Sequence, residues 1–469
     1  MALLIDNPII IKHIRARLRP AQAMPGAVAL FCLAATLTWL AFASQPADGQ
    51  GGGFVFGLLL CLLALVLVVL GSEQVATAVS VARETGILDF HRISPLPPAE
   101  VALGFFLGAP IREACYAALL VPFLAATAIL AGIPWTSLFD LVATVVFVAL
   151  LVHAWQLLAA LVSRRPRAST RGILLLVFLA LGFGASAMRD GSVASISAPT
   201  YFGLPLPRAL FVGLHTVAAT IFLLVAATRQ MRDQRAALLS KWQALACLTT
   251  VATLAVGSLW TAEPTIALVA LLTVVVATGV FCGMPVAVTT GEYLKGVRRA
   301  RRLGRSAAPP LDDAAASGVA VAGLCLVAVA AAAILGLRLA ADWQAWAWPF
   351  SIGLLVIATH GFARQYYRLR DGSQGDLLCN LTLFLIWVLP LPLAAAWSAS
   401  GLDGWTGNFL WEVTPWAGMT QAVIAKAGGA VGGPWPSLFV TGLTTLVFGV
   451  LQVRQAAIAR REAGAPGPV

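Results

Sequence analysis

Residues 54–104 read FVFGLLLCLLALVLVVLGSEQVATAVSVARETGILDFHRISPLPPAEVALG. From Phe54 to Val79 the single charged side chain is Glu73. That run is long enough to cross the hydrocarbon core of a bilayer, which takes about 20 helical residues. Immediately after it, Arg83, Glu84, Asp89, His91, Arg92 and Glu100 crowd together with Gly86, Pro95, Pro97 and Pro98. A second apolar run begins near residue 113. The pattern is that of two membrane spans separated by a polar, sharply turning segment at the membrane surface.

The rest of the chain repeats the pattern. Of 469 residues, 59% are hydrophobic and 11% charged, with a mean hydropathy of +0.88. Soluble domains are about half apolar and about a quarter charged. The fold class is therefore an all-α integral membrane protein, with about twelve transmembrane helices expected. They fall near 26–43, 54–79, 113–132, 137–162, 172–188, 209–227, 243–261, 264–286, 319–338, 347–362, 378–397 and 436–453. The seven cysteines lie in or beside these runs without a C-x-x-C pair, which argues against a disulfide or metal framework.

Lysine and arginine orient the chain. With a cytoplasmic N-terminus, 27 of the 31 Lys and Arg fall in inner segments; only Arg189, Arg208, Arg338 and Lys426 are outside. Both termini are then cytoplasmic, and the basic loops face an anionic inner leaflet. The net charge of +11 calls for membrane lipid as partner and for no nucleic acid. The basic start, the first apolar run and Ala41-Phe42-Ala43 imitate a signal peptide, but the run is long enough to span and is expected to be retained.

The spans divide into two parallel six-helix halves, 26–230 and 231–469, preceded by an amphipathic helix over 1–25. Each half has a long inner loop, 80–112 and 287–318, and a long outer loop, 189–208 and 398–435. Tryptophans in 398–435 predict short helices near the outer surface. The stretch LGRSAAPPLDDAA at 303–315 reads as flexible, and the tail GAPGPV as disordered.

Within the opening stretch, Glu84-Thr85-Gly86 ends one helix, and Pro98-Ala99-Glu100 can begin another. Between them Ile87, Leu88, Phe90 and Ile93 form a short apolar set beside Asp89, His91 and Arg92, before Pro95-Leu96-Pro97. Such an element either packs on its own protein or offers apolar side chains to a partner.

This stretch resembles the loop of ABC-2 type transporter permeases, which tends to read E-x-G-T-L-D-x-L, then T-P-L-S, then a helix with L-G-K. Matching positions here are Glu84, Gly86, Leu88, Asp89, Pro95, Leu96, Glu100, Leu103 and Gly104; Ile87 and Phe105 depart from it. The N-terminal NPIIIKHIRARLR at 7–19 resembles the amphipathic elbow of the same permeases, with His13 in place of an acid. The resemblance covers about the first quarter; in the second half only Gly291-Glu292 of TTGEYLKGVRRARRLG echoes it. It implies a permease subunit in the cell (inner, cytoplasmic) membrane, driven by a separate ATPase. That ATPase would dock on 84–100 through Glu84, Gly86, Leu88, Asp89, Phe90, Pro95 and Leu96. A second permease or a homodimer would fit as a further partner.

The chain has no G-x-x-x-x-G-K-[ST], and none of its lysines (Lys12, Lys241, Lys295, Lys426) follows a glycine. ATP and Mg would belong to the partner chain, with no cofactor bound by this one. Ionisable residues inside spans are functional candidates by default. His153 and His215 are candidates for lining a substrate path; Glu73, Glu113 and Asp140 lie near span ends. Two other classes compete: a secondary transporter working without ATP, and a membrane enzyme acting on lipid-linked substrates. The second would want clustered acids or histidines, whereas here they are scattered.

Overall fold

The structure, a computed structural model, describes residues 6–43, 50–163, 199–234, 236–305, 307–339, 343–399, 405–426 and 434–464. Nearly all of them are helical. Among the described residues, ten helices are long and apolar enough to cross a membrane. Large apolar side chains such as Trp39, Leu326, Leu337 and Val453 point outward along them. A surface of that kind is suited to lipid and not to water. The chain is a multi-pass membrane protein.

Eleven of the twelve expected spans fall in described residues, and each coincides with helix. The one expected at 243–261 is the helix Lys241–Ser258, which does not belong to the strongly apolar ten because its first turn carries Lys241, Trp242 and Gln243. The span expected at 172–188 lies outside the described residues, as does the end of the tail, 465–469.

The described residues form two compact units, one within Met1–Pro199 and Pro205–Leu238, the other within Thr200–Leu204 and Leu239–Val469. The first contains α1 (Pro8–Arg17), α2 (Pro20–Ala43) and α3 (Gln50–Ala64). A π-helical turn (Leu65–Leu70) joins α3 to α4 (Gly71–Glu84). There follow α5 (Ile87–Ile93), α6 (Pro98–Gly108), α7 (Ile111–Leu130), α8 (Trp135–Val162) and α9 (Arg208–Arg232). Leu59, Leu63, Leu67, Leu120 and Leu124 centre the core between α3, α4, α7 and α8.

The α3–α4 helix, α8 and α9 lie side by side and run the same way. Leu67 meets His153 and Arg83 meets Leu161, while Asp140 meets the start of α9 and Phe147 covers Gly213.

The second unit contains α10 (Lys241–Ser258), α11 (Pro264–Val286), α12 (Thr290–Arg302), α13 (Gly318–Arg338) and α14 (Trp343–Asp371). A 3-10 turn (Gly372–Gln374) leads to α15 (Gly375–Trp387), α16 (Pro390–Ala399), α17 (Trp405–Glu412), α18 (Pro415–Lys426) and α19 (Trp435–Gly464). The short α17 and α18 lie in the tryptophan-rich segment 398–435, where short helices were expected.

Here too three long helices, α11, α14 and α19, are adjacent and parallel. Ile357 of α14 sits on Gly279 of α11, and His360 faces Gly283. Between α14 and α19, Trp348 meets Trp435 at 4.8 Å, Thr359 bonds Thr445 at 2.6 Å, and Phe362 lies over Gly449. Each unit thus carries a buried histidine facing a glycine on a neighbouring helix: His153 on Gly71, His360 on Gly283.

The 303–315 loop departs from the expected flexible segment. Lys241 is buried, and its Nζ donates to the carbonyls of Asp312 (2.7 Å), Asp313 (3.3 Å) and Ala315. Burial pulls its ammonium down to about 8, opposed by Asp313, Asp312 and Glu292. Pro- and Ala-rich composition signalled mobility, but one long-range cation gathers three carbonyls at the end of the stretch.

Candidate functional site

The helix α4 stops where Gly86 enters the left-handed region (φ +72°), a conformation that costs glycine nothing. Seven residues of α5 follow, then an extended Ser94, and Pro98 opens α6 at its first position. In so short a helix, residues two apart face opposite ways. Leu88 is 1% exposed, whereas Phe90 is 63% and Ile93 84% exposed. The expectation that Leu88 offers itself to a partner is therefore corrected: it packs inward, beside His91, Leu96, Val101 and Met231 around a cavity of about 190 Å³. Leu96 is half-buried there, while Glu84, Gly86, Asp89 and Pro95 are exposed. The outward apolar pair is Phe90 and Ile93, three residues apart on one face. Asp89 lies beside them, paired with Arg92. Ile93 belonged to the apolar set read from the sequence but not to the predicted docking residues.

Two arginines tie this element to the ends of long helices. Arg83 donates to the carbonyls of Ala160, Leu161 (2.6 Å) and Ser163 (2.8 Å), closing the C-terminus of α8. Arg92 Nε donates to the Met231 carbonyl (3.2 Å) in the last turn of α9. Both place a cation where a helix leaves its carbonyls unpaired and its dipole negative. Arg83, at the end of α4, thus ties the helix before Gly86 to α8, and Arg92 ties α5 to α9.

The N-terminal helix locks onto the same element. Asn7 caps α1 by accepting from the Ile9 and Ile10 N–H groups (3.0 and 3.3 Å), and its side-chain amide donates to the Glu100 carbonyl (2.8 Å). Ile9 is buried against Gly104, and Gly108 leaves room for Ile10 and His13; a Cβ on Gly104 would stand 2.6 Å from that of Ile9. The two glycines, one turn apart, form the groove that seats α1. His13 packs edge-on to Phe105 at 5.7 Å. Burial, with Arg17 and Lys12 adding to it, pushes its imidazole down to about 4.

The candidate path residues are both engaged with backbone. His153 is buried and its Nε2 lies 2.9 Å from the Leu67 carbonyl, inside the π-turn, where the regular helical pairing is interrupted. The carbonyl can only accept, so Nε2 carries the proton. His215 Nδ1 bonds the Phe211 carbonyl of its own helix at 2.8 Å. Asp140 accepts from the N–H groups of Arg208 (3.0 Å) and Ala209 (2.7 Å), capping α9 from a neighbouring helix. Glu113 is buried with one oxygen on Arg112 (2.7 Å). The helix Thr290–Arg302, the second-half counterpart of the opening stretch, has no left-handed glycine at Gly291 and buries Tyr293, Val297 and Ala300 against its own unit.

No protein family, curated protein or solved structure matches the chain.

One group escaped the sequence reading. Arg364 and Arg368 were counted only among the inner basic residues between the expected spans 347–362 and 378–397, but α14 stays helical through Asp371. Arg364 is 7% exposed and pairs with Asp376 at 3.0 Å. Arg368 holds the same carboxylate with two bonds of 2.7 Å and donates to the Ala287 carbonyl. The i, i+4 spacing of His360, Arg364 and Arg368 was the available signal, since it places all three on one helix face.

Proposed function

We propose that the chain is the permease subunit of an ATP-driven transporter of the ABC type, in the cell membrane, moved by a separate ATPase docked on 84–100. The observation that carries this reading is the pairing of an exposed face, Asp89, Phe90 and Ile93, with a braced back. The bracing runs through Leu88, Arg83 and Arg92 to α8 and α9. A surface loop with no partner has no need of such bracing, and a lever does. The motifs Glu84, Gly86, Leu88 and Asp89, and the elbow at 7–19, support the same reading. In it, ATP-driven closure of the ATPase pushes α5, and the two arginine-capped helices shift access to the path. That shift is limited to the differential affinity of the nucleotide for the two states. Twelve spans in two parallel halves, with both termini cytoplasmic, complete the reading. The matching three-helix arrangement of the two units supports it.

Copurification tests it. Truncating interface anchors costs about 2 kcal/mol or more, roughly thirtyfold in affinity. Phe90→Ala with Ile93→Ala should release the ATPase in mild detergent while the permease stays folded. Arg298→Ala with Arg299→Ala, exposed on α12, should not.

A second reading, a secondary transporter without ATP, draws on the buried Arg364–Asp376–Arg368 cluster, since paired charges at such depth mark ion-coupled pathways. It gains ground if no ATPase accompanies the unmodified protein and transport follows an ion gradient.

A further inference from the structure

The charge around Asp376 does not balance. Arg364 and Arg368 share its one carboxylate. Nearby Arg370 and Asp371 pair with each other at 3.6 Å and cancel. Arg364 uses Nη2 on Asp376, but its buried Nε and Nη1 have no partner. One turn earlier on the same face, His360 is 4% exposed and its Nδ1 also lacks a partner. Three orphaned nitrogens thus converge on one side of α14. A buried cation without a counter-charge costs several kcal/mol, and an unbonded donor adds to that. A water would satisfy a donor, but it would leave the charge.

Arg364 Nε and Nη1 can only donate, and His360 Nδ1 donates in one tautomer. An array of donors with a surplus positive charge fits a tetrahedral oxyanion. The apolar face of α15 starts one residue beyond Asp376: Leu377, Leu381 and Phe384 point outward at successive turns. Acyl chains have a track there beside the charged cluster. We propose that Arg364 and His360 form a binding site for an anionic phosphate group, carried by a phospholipid headgroup or supplied as free phosphate. The site is independent of whether an ATPase drives the protein.

The test uses the purified full chain in neutral detergent, titrated separately with phosphatidylglycerol, phosphatidylcholine and inorganic phosphate. Binding is followed by the shift in thermal unfolding midpoint and by native mass spectrometry. Stabilisation by phosphatidylglycerol but not by phosphate identifies a lipid site; the reverse identifies a soluble anion. Phosphatidylcholine, whose choline cancels the charge, should do little. Arg364→Gln should weaken the effective ligand about tenfold or more, the loss expected for charge-assisted hydrogen bonds. Arg338→Gln, exposed at the end of α13 away from this cluster, should leave binding unchanged. If Arg364→Gln does not accumulate, Arg364→Lys keeps the charge but not the donor geometry, and a several-fold loss is expected. Absence of any effect on the unmodified protein, or equal binding by the Arg364 and Arg338 variants, overturns the proposal.

Discussion

Leu88 and Phe90 show how far a residue's role depends on what lies behind it. Both are apolar, both match the motif, and they sit two positions apart; one is core and the other surface. Leu88→Ala should therefore cost about 2–5 kcal/mol locally, as core truncations do. Faster hydrogen exchange over 87–108 would reveal it, with Phe90→Ala leaving that exchange unchanged. The apolar set was legible in the sequence, but its sidedness was not. A seven-residue helix is too short for periodicity to declare a face, and the surfaces that bury Leu88 include Met231, far along the chain. Arg364 was read only as one more inner charge for a related reason: its pairing with Asp376, twelve residues on, leaves no local trace. His13 gives a pH signature. Its imidazole is held down to about 4 from an ordinary 6.5, so docked and free α1 are equally neutral above 6.5. Below 6.5 the free helix takes up a proton that the docked one resists, so docking weakens steadily until about 4. A spin label on α1 should gain mobility across that window, and His13→Leu should abolish the change.

Among elements, the informative arrangement is the turn at Gly86, with Arg83 before it on the end of α8 and Arg92 after it on the end of α9. The sequence predicted a Gly- and Pro-bounded element here and an amphipathic N-terminal helix. It could not predict that Asn7 joins them through the Glu100 carbonyl, or that Gly104 and Gly108 form the seat. Capping by a residue distant in the chain leaves no local trace; Arg83 looks like any arginine at a span end until its carbonyl partners are known. If Arg83 transmits motion, then Arg83→Gln should separate docking from drive. The ATPase should still copurify at the unmodified yield, while transport per ATP hydrolysed falls roughly tenfold, the scale of losing a charged hydrogen-bond set. Equal transport per ATP would mean that α8 is moved by other contacts.

At the scale of the molecule, hydropathy and the distribution of lysine and arginine predicted nearly every long helix, because bilayer thickness fixes their length. Helix neighbours were beyond such reasoning. In the first unit α3–α4, α8 and α9, and in the second α11, α14 and α19, are adjacent and parallel, and in both a histidine faces a glycine of the neighbouring helix, yet the surrounding residues differ. Leu157 and Leu158, four and five positions beyond His153, correspond in spacing to Arg364 and Gln365 beyond His360. The second unit carries charge where the first is apolar. Residues 84–100 and α12 differ likewise: the first exposes Phe90 and Ile93 above a buried Leu88, whereas the amphipathic α12 has its apolar side buried. The proposed assignment of an ATPase to the first unit rests on that difference. Photo-crosslinking from position 90 in intact membranes addresses that assignment most directly. With benzoylphenylalanine in place of Phe90, irradiation should give one main adduct, whose partner yields a peptide with the G-x-x-x-x-G-K-[ST] sequence. The same probe at Arg299 should give little of it. No such adduct from position 90, or equal adducts from both positions, would contradict docking of an ATPase on residues 84–100.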